Sequence, residues 1–196
     1  MGEDGDLMKK ALILIGSPRK KGSTAILAAE AERGLREKGI ETKTVFLNDL
    51  KIKGCQGCYW CKKNDVAVCT VKDDMQKVHQ MMQESDGLII ASPIYFAGVT
   101  AQTKAWLDRL FPYIGMDLSP KMPKGKTVSF IFTQNQPDAR LFVTPIATFM
   151  QMVGLTGLSV KDHVLACDLD AGVKPPVEDH KEFMEQAYQL GKNLIQ

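Results

Sequence analysis

The chain has 196 residues, of which 44% are hydrophobic and 24% charged, and its formal net charge is +2. This composition is typical of a globular protein with a sizeable core, and it excludes intrinsic disorder, collagen-like repeats and a disulfide-dense mini-protein. The balanced charge does not favour nucleic acid as a partner. No apolar run approaches the roughly 20 residues that span a bilayer. We therefore expect one domain over residues 1–196, with neither nucleic acid nor a membrane as partner.

Residues 1–8 are predicted to form a flexible N-terminus. The first apolar run, 11–15, is too short for a signal peptide, so a cytoplasmic protein is expected, in which thiols stay reduced. Four of the five cysteines lie within 55–69, and Cys167 stands apart. Clustered thiols in a reducing compartment indicate a metal or redox role more than a disulfide framework.

Strand and helix patterns alternate along the chain. Short apolar runs predict strands, and apolar residues at every third or fourth position predict helices. Asp73 and Asp74 are predicted to cap the helix that follows them. In chain order, the predicted elements are strand 11–15, helix 23–38, strand 41–47, a long cysteine-rich loop 48–72, helix 73–84, strand 87–91, helix 97–110, strand 126–132, helix 137–152, strand 158–164 and helix 178–194.

This alternation predicts an α/β fold with a five-stranded parallel sheet covered by helices on both faces. The expected strand order is 2-1-3-4-5. In such a sheet, ligands bind beyond the carboxyl ends of the strands, at the point where the strand order reverses. The loops that follow the first, third and fourth strands are therefore the candidate binding loops.

The loop after the first strand is suited to bind phosphate. It leads into a helix N-terminus, where backbone N–H groups and the helix dipole favour an anion. Ser17, Ser23 and Thr24 add hydroxyl groups, and the Arg19 guanidinium can donate two hydrogen bonds to phosphate oxygens. The loop lacks the dinucleotide-binding and Walker glycine patterns, so a phosphate monoester fits better than a pyrophosphate or a triphosphate. The alternative is that Ser23 only caps the helix.

The loop after the third strand is suited to bind a flat ring. Pro93 restricts the backbone, Tyr95 and Phe96 offer planar apolar surface, and Gly98 permits a close turn. Packing in the core is the competing role for the two aromatic residues. A phosphate site beside a ring site predicts a mononucleotide such as FMN.

Two loops and the cysteine segment resemble a known family. Gly-Ser-Pro-Arg-Lys-Lys-Gly-Ser-Thr at 16–24 and Ser-Pro-Ile-Tyr-Phe-Ala-Gly at 92–98 resemble the NADPH-dependent FMN reductase family of flavodoxin-like proteins. The cysteine segment 55–75 resembles that of its iron–sulfur flavoprotein branch. The resemblance covers about 9–194 and implies a flavodoxin-like three-layer sandwich.

The resemblance also implies which residues bind the cofactor. The residues expected to hold the FMN phosphate are Ser17, Arg19, Ser23 and Thr24. The residues expected to border the isoalloxazine ring are Pro93, Ile94, Tyr95, Phe96 and Gly98. Thr133, at the start of the polar run 133–136 after the fourth strand, is also taken as a cofactor-binding residue. No side chain is predicted to act as a catalytic acid or base.

The function implied by the resemblance is that of an FMN-dependent oxidoreductase. NADPH or NADH would reduce the flavin, which would then reduce a quinone, a free flavin or another acceptor. The alternative is an iron–sulfur flavoprotein that carries electrons and is reduced by ferredoxin, and a mononucleotide-sensing module is a third, non-redox reading. The resemblance implies a homodimer or homotetramer, which agrees with the apolar runs 111–116 and 141–153.

The cysteine spacing leaves three roles open. Three thiolates at two-residue gaps and a fourth further on can ligate one compact cluster, and iron–sulfur flavoproteins carry a 4Fe-4S cluster on such a motif. Zinc normally takes two separated Cys-x2-Cys pairs, which the segment lacks. The thiols could also line the site as free or disulfide-forming groups. The candidate metal ligands are Cys55, Cys58, Cys61 and Cys69.

Overall fold

The computed structural model describes residues 8–169 and 172–195. The predicted flexible segment 1–8 therefore lies, except for Met8, outside the described residues. Among these, no helix is both long and apolar enough to cross a membrane. The helices and strands are β1 (Lys10–Ile15), α1 (Ser23–Glu37), β2 (Glu41–Phe46), α2 (Trp60–Lys63), α3 (Met75–Glu84), β3 (Gly87–Tyr95), β4 (Gly98–Val99), α4 (Ala101–Asp108), β5 (Thr127–Thr133), α5 (Val143–Gly154), β6 (Ser159–Ala166) and α6 (Lys181–Lys192).

Five strands form a parallel sheet in the order β2-β1-β3-β5-β6. This confirms the predicted order, because β5 and β6 are the fourth and fifth long strands of the chain. The short strand β4 was not predicted. It pairs antiparallel with the end of β3, through Ile94 with Val99 and Tyr95 with Gly98, and so the predicted helix 97–110 begins only at Ala101.

The interior strand β1 is apolar from Ala11 to Ile15 because both of its faces are covered there. Ala11, Ile13 and Ile15 belong to a core cluster with α1 and α6. Leu12 and Leu14 belong to a second cluster with α3, α4 and α5 on the opposite face. Alternate side chains of a strand point to opposite faces, so one apolar run supplies both cores. The three-layer arrangement is confirmed.

The largest difference in element bounds lies before α5, which begins at Val143 instead of 137. The Asp138 carboxylate accepts hydrogen bonds from the backbone N–H and the guanidinium of Arg140, at 2.9 to 3.1 Å. Such local side-chain bonds offer the backbone an alternative to the helix. Residues 139–142 accordingly form turns in a segment whose apolar spacing favours a helix.

Helix α3 buries His79 against Tyr113. The Nδ1 atom lies 3.0 Å from the Tyr113 hydroxyl oxygen, and Nε2 has no hydrogen-bond partner among the described residues. Burial, together with the nearby Arg109 guanidinium, lowers the pKa of His79 to about 4. Burial also raises the pKa of Tyr113 to about 12. Both side chains are therefore neutral at physiological pH.

Mild acid should destabilise the protein through His79. The unfolded chain takes up this proton near the ordinary pKa of 6.5, whereas the folded chain takes it up only near 4. The free energy of unfolding should therefore fall as the pH drops through that window, by about 3 kcal/mol in total. Urea unfolding between pH 7.5 and pH 4 measures the fall.

The matched variants are His79→Gln, which can still bond Tyr113 but does not titrate, and His163→Gln at an exposed histidine. We expect H79Q to flatten the pH profile and H163Q to leave it unchanged. A profile of H79Q as steep as that of the wild type would contradict the assignment.

Candidate functional site

The loop between β1 and α1 has a geometry suited to an anion. Helix α1 begins at Ser23, and its N-cap residue Gly22 provides no side-chain hydrogen bond to the helix N-terminus. The Gly22 N–H donates to the Arg19 carbonyl at 3.2 Å, which closes a tight turn. A Cβ on Gly22 would lie 3.1 Å from Cβ and 3.2 Å from Nε of Arg19, so glycine leaves room for this side chain beside the helix start. An uncapped helix N-terminus next to a guanidinium favours phosphate.

Two of the predicted phosphate-binding residues, Ser17 and Thr24, make hydrogen bonds within the protein, and their role toward phosphate stays a prediction. The buried Ser17 hydroxyl accepts from the Arg19 N–H at 3.2 Å and so shapes the loop. The Thr24 hydroxyl lies 2.7 Å from that of Thr133, where the pair ties α1 to the end of β5. The groups of this loop that border the neighbouring cavity come from Arg19 and Ser23.

The turn between β3 and β4 presents aromatic side chains on a strained backbone. Its two central residues, Phe96 and Ala97, have φ angles of 48° and 62°. Two left-handed residues match the type I′ hairpin turn, which normally selects asparagine and glycine. For a residue other than glycine, this conformation costs roughly 1–2 kcal/mol of free energy. Phe96 is fully exposed, and Tyr95 is 46% exposed. Exposed aromatic residues on a strained turn indicate a binding role.

These loops enclose one cavity of about 470 Å³, which is within the usual size of small-molecule sites. The cavity is lined by seven of the ten predicted cofactor-binding residues, namely Arg19, Ser23, Pro93, Ile94, Tyr95, Phe96 and Thr133. Ser17, Thr24 and Gly98 lie outside this lining. Three lining residues were not chosen from the sequence: Gln134, Asn135 and Leu169.

The three residues that were not chosen differ in how clearly the sequence indicates them. Gln134 and Asn135 belong to the polar run 133–136 that was recognised as a binding loop, although only Thr133 was selected from it. Leu169 follows β6, where a leucine is as typical of the core as of a site. Gln134 is buried, and its Oε1 atom has no hydrogen-bond partner among the described residues.

The four clustered cysteines border a second, much smaller hollow. Cys55 and Cys58 are exposed, while Cys61 and Cys69 are half-buried. Burial raises the pKa of the Cys61 thiol, although the Lys62 ammonium opposes the shift. Within residues 8–169 and 172–195, no group of three or more His, Cys, Asp or Glu side chains is arranged to hold a metal ion. Thiols are suitable donors for iron, but the arrangement itself does not support the predicted 4Fe-4S cluster.

A buried ion pair closes the neck of the cysteine loop. The Arg109 guanidinium donates to both carboxylate oxygens of Asp73, at 2.6 and 3.1 Å, and neither side chain is more than 5% exposed. It also donates to the carbonyls of Lys53 at 2.8 Å and Val71 at 3.3 Å. The Lys53 N–H donates to Asp73 at 2.9 Å. Both ends of the loop are therefore tied to the same ion pair.

The predicted capping role of Asp73 is only part of its structural role. Asp73 accepts from the Met75 N–H at 3.1 Å, as a cap would. Burial alone would raise the pKa of this carboxyl, but the hydrogen bonds from Arg109 and Lys53 outweigh it and hold the pKa below its usual range. Asp73 is therefore ionised and paired.

The tip of the cysteine loop packs on Phe111. The Lys62 ammonium lies 3.9 Å from the centre of the Phe111 ring and donates to its carbonyl at 2.6 Å. The Tyr59 ring meets Phe111 edge-on, with 5.8 Å between the ring centres. Part of the apolar run 111–116 is thus covered within the chain, while Met116 stays exposed. The expected homodimer or homotetramer stays a prediction.

The fold is flavodoxin-like, and its candidate site lies at the carboxyl edge of the parallel sheet. Residues 9–141 match the NADPH-dependent FMN reductase family, and the chain belongs to this family.

Three similar proteins from archaea illustrate the likeness. An iron-sulfur flavoprotein of Methanocaldococcus jannaschii is 40% identical over 114 residues, which are 58% of each chain. An iron-sulfur flavoprotein of Archaeoglobus fulgidus is 38% identical over 104 residues, 53% of this chain and 46% of that one. The chain thus matches about half the length of these curated relatives. The structure of an NAD(P)H:quinone oxidoreductase from Methanothermobacter marburgensis shares the fold, with a TM-score of 0.73 at 19% sequence identity. The match covers 95% of this chain and 97% of that one.

Removing the Arg109 guanidinium should strongly destabilise the protein. Arg109→Met leaves the Asp73 carboxylate buried without its partner, which costs about 3–5 kcal/mol. Arg109→Lys keeps the positive charge but not the planar group that donates to both carboxylate oxygens, so an intermediate loss of stability is expected. Urea unfolding at pH 7 measures the effect, with the exposed Arg33→Met as the matched control. A loss below about 1 kcal/mol for R109M would contradict the role of the ion pair.

Proposed function

We propose that the chain binds FMN in the cavity beside α1 and acts as an FMN-dependent oxidoreductase. The observation that carries this proposal is the meeting of an anion site and an aromatic turn at one cavity. Membership of the NADPH-dependent FMN reductase family supports the same cofactor.

The donor set of the cavity suits FMN. Arg19, Ser23 and the backbone N–H groups at the start of α1 would hold the phosphate. Tyr95 and Phe96 would cover part of the flat ring, and Pro93 would fix the backbone beside it. The phosphate and the flat ring of FMN thus each have a matching group in the lining.

When bound, FMN would supply the redox chemistry by accepting a hydride and releasing electrons to an acceptor. The chain binds the phosphate, orients the ring and excludes water from the covered part of it. The left-handed turn at Phe96 and Ala97 holds the aromatic surface in place before a ligand arrives. We propose NADPH or NADH as the electron donor and a quinone, a flavin or another small molecule as the acceptor.

FMN binding should depend on Arg19 through the phosphate. Arg19→Ala is expected to raise the dissociation constant for FMN by about 10- to 100-fold, because a charge-assisted hydrogen bond is lost. Binding of riboflavin, which lacks the phosphate, should be unchanged. Quenching of flavin fluorescence measures both constants.

The matched control is Lys20→Ala, since Lys20 lies in the same loop, is exposed and pairs with Asp49. K20A should bind FMN within about twofold of the wild type. Equal weakening of FMN and riboflavin by R19A would show that the phosphate is not held here. Lack of flavin binding by the wild type at micromolar concentration would overturn the proposed function.

The electron donor is tested by mixing the FMN-loaded protein with NADPH or NADH without oxygen. Rapid loss of the flavin absorbance would support the proposed enzyme. Loss of absorbance with reduced ferredoxin alone would support the carrier instead.

A second candidate function is that of an iron–sulfur flavoprotein that carries electrons and is reduced by ferredoxin. It is favoured by the spacing of the four cysteines in the sequence and by the names of the archaeal relatives, although the arrangement of the thiols in the structure does not support it. In this case the loop would hold a 4Fe-4S cluster on Cys55, Cys58, Cys61 and Cys69.

A 4Fe-4S cluster on these cysteines leads to a separate prediction. Protein purified without oxygen should contain about four iron atoms per chain. Cys58→Ala should lose the iron yet still bind FMN, since the cavity and the hollow share no lining residue. The buried Cys167→Ala is the control and should keep both. Iron analysis and the visible spectrum give the two readouts, and iron-free wild type with FMN bound would refute the cluster.

A further inference from the structure

Another cavity, here called the adjoining cavity, lies next to the one proposed to bind FMN. Its volume is about 530 Å³, which is within the usual range of small-molecule sites. Arg19 and Ser23 line both cavities. A phosphate held by these two residues therefore borders the adjoining cavity as well, and a ligand that continues beyond this phosphate has room there.

One part of the lining of the adjoining cavity is apolar and anchored in the core. Val177 is only 1% exposed and belongs to the core cluster beneath α1 and α6, and Ile26 of α1 packs against the same cluster. Pro175 and Pro176 precede Val177 and add stiff apolar surface to the lining. Such a surface suits the flat face of a purine base.

Three consecutive cations precede α1, and they differ in whether they are paired. Lys20 lines neither cavity, and its ammonium forms an ion pair with Asp49 at 2.7 Å. Arg19 and Lys21 line the adjoining cavity, and their charged groups have no ion-pair partner among residues 8–169 and 172–195. Unpaired cations at a cavity attract an anionic ligand. Two of them match two phosphate groups, whereas FMN carries only one.

Glu178 adds a hydrogen-bond acceptor to the same lining. Its carboxylate is exposed and makes no ion pair within the described part of the chain. A carboxylate repels a phosphate, but it accepts hydrogen bonds from ribose hydroxyls and from the amino group of adenine. The adjoining cavity thus combines cations, an apolar surface and an acceptor, which together match the parts of an adenosine phosphate.

We propose that the adjoining cavity binds the adenosine monophosphate half of FAD, so that the chain takes FAD as well as FMN. This rests on the proposed function, which assigns the flavin ring and the first phosphate to the FMN cavity. The loop lacks the glycine pattern with which backbone N–H groups bind a pyrophosphate. The second phosphate is therefore bound by the ammonium of Lys21, and the adenosine lies between Val177 and Glu178.

The experiment is a calorimetric titration of the flavin-free protein with FMN, riboflavin 5′-diphosphate and FAD. We expect the dissociation constant to fall from each ligand to the next, by about tenfold or more between FMN and FAD, since each added group gains contacts in the adjoining cavity. Riboflavin 5′-diphosphate carries the second phosphate without adenosine. It therefore separates the contribution of the cations from that of the remaining lining.

Lys21→Ala tests the second phosphate. It should raise the dissociation constants of FAD and riboflavin 5′-diphosphate about tenfold and leave that of FMN within about twofold of the wild type. The matched control is Lys20→Ala, which removes a cation of the same loop outside both cavities and should bind all three flavins as the wild type does. Both side chains are exposed, so neither substitution disturbs the core.

Glu178→Ala tests the adenosine. It should narrow the difference in affinity between FAD and riboflavin 5′-diphosphate, because it removes the acceptor for the ribose or the base. An unchanged difference would overturn the role of Glu178.

The outcomes separate this proposal from the proposed function. Binding of FAD no tighter than that of FMN by the wild type would overturn the proposal, and the proposed function would stand because FMN still binds. Equal affinities for FAD and riboflavin 5′-diphosphate would overturn the assignment of adenosine to this cavity. Unchanged binding of FAD by K21A would overturn the assignment of the second phosphate. Absence of binding of all three flavins by the wild type would overturn the proposed function and this proposal with it.

Discussion

The close contact of Gly16 with helix α4 holds the binding edge together. The Gly16 N–H donates to the Ala91 carbonyl at 2.7 Å, and its carbonyl accepts from the Thr100 hydroxyl at 2.8 Å. A Cβ at Gly16 would lie 1.8 Å from Oγ1 of Thr103, so only glycine fits. The end of β1, the middle of β3 and the start of α4 are therefore locked into one body. The first binding loop leaves the sheet from this junction.

Helix α4 connects this junction to both the cavity and the cysteine loop. At its beginning, Thr100 follows β4 directly, and β4 pairs with β3 to hold the aromatic turn. At its end, Arg109 closes the neck of the cysteine loop. A helix of eight residues is about 12 Å long, so one short rigid element separates the cavity edge from the loop neck. The relative placement of the two sites is thus fixed by backbone geometry.

The sequence predicted the sheet because its signals are local and redundant. The apolar run 11–15 and the strand–helix alternation indicated the strand order, and the residues at the ends of β1, β3 and β5 indicated the cavity. What it did not predict depends on partners distant in the chain or on unusual local chemistry. Asp73 and Arg109 are 36 residues apart, so their ion pair leaves no pattern. The turn at Phe96 and Ala97 lacks the asparagine and glycine that mark such hairpins.

The neck formed by Asp73 and Arg109 determines which part of the chain can vary in length. The groups that tie the loop ends, the carbonyls of Lys53 and Val71 and the N–H of Lys53, all belong to residues outside the four cysteines. The segment between the two ties can gain or lose residues without shifting the register of the sheet. Lengthening a closed loop costs little, about 0.6 kcal/mol for each doubling. The cysteine segment can therefore be exchanged like a cassette, while the strands and the cavity at their carboxyl ends keep their geometry.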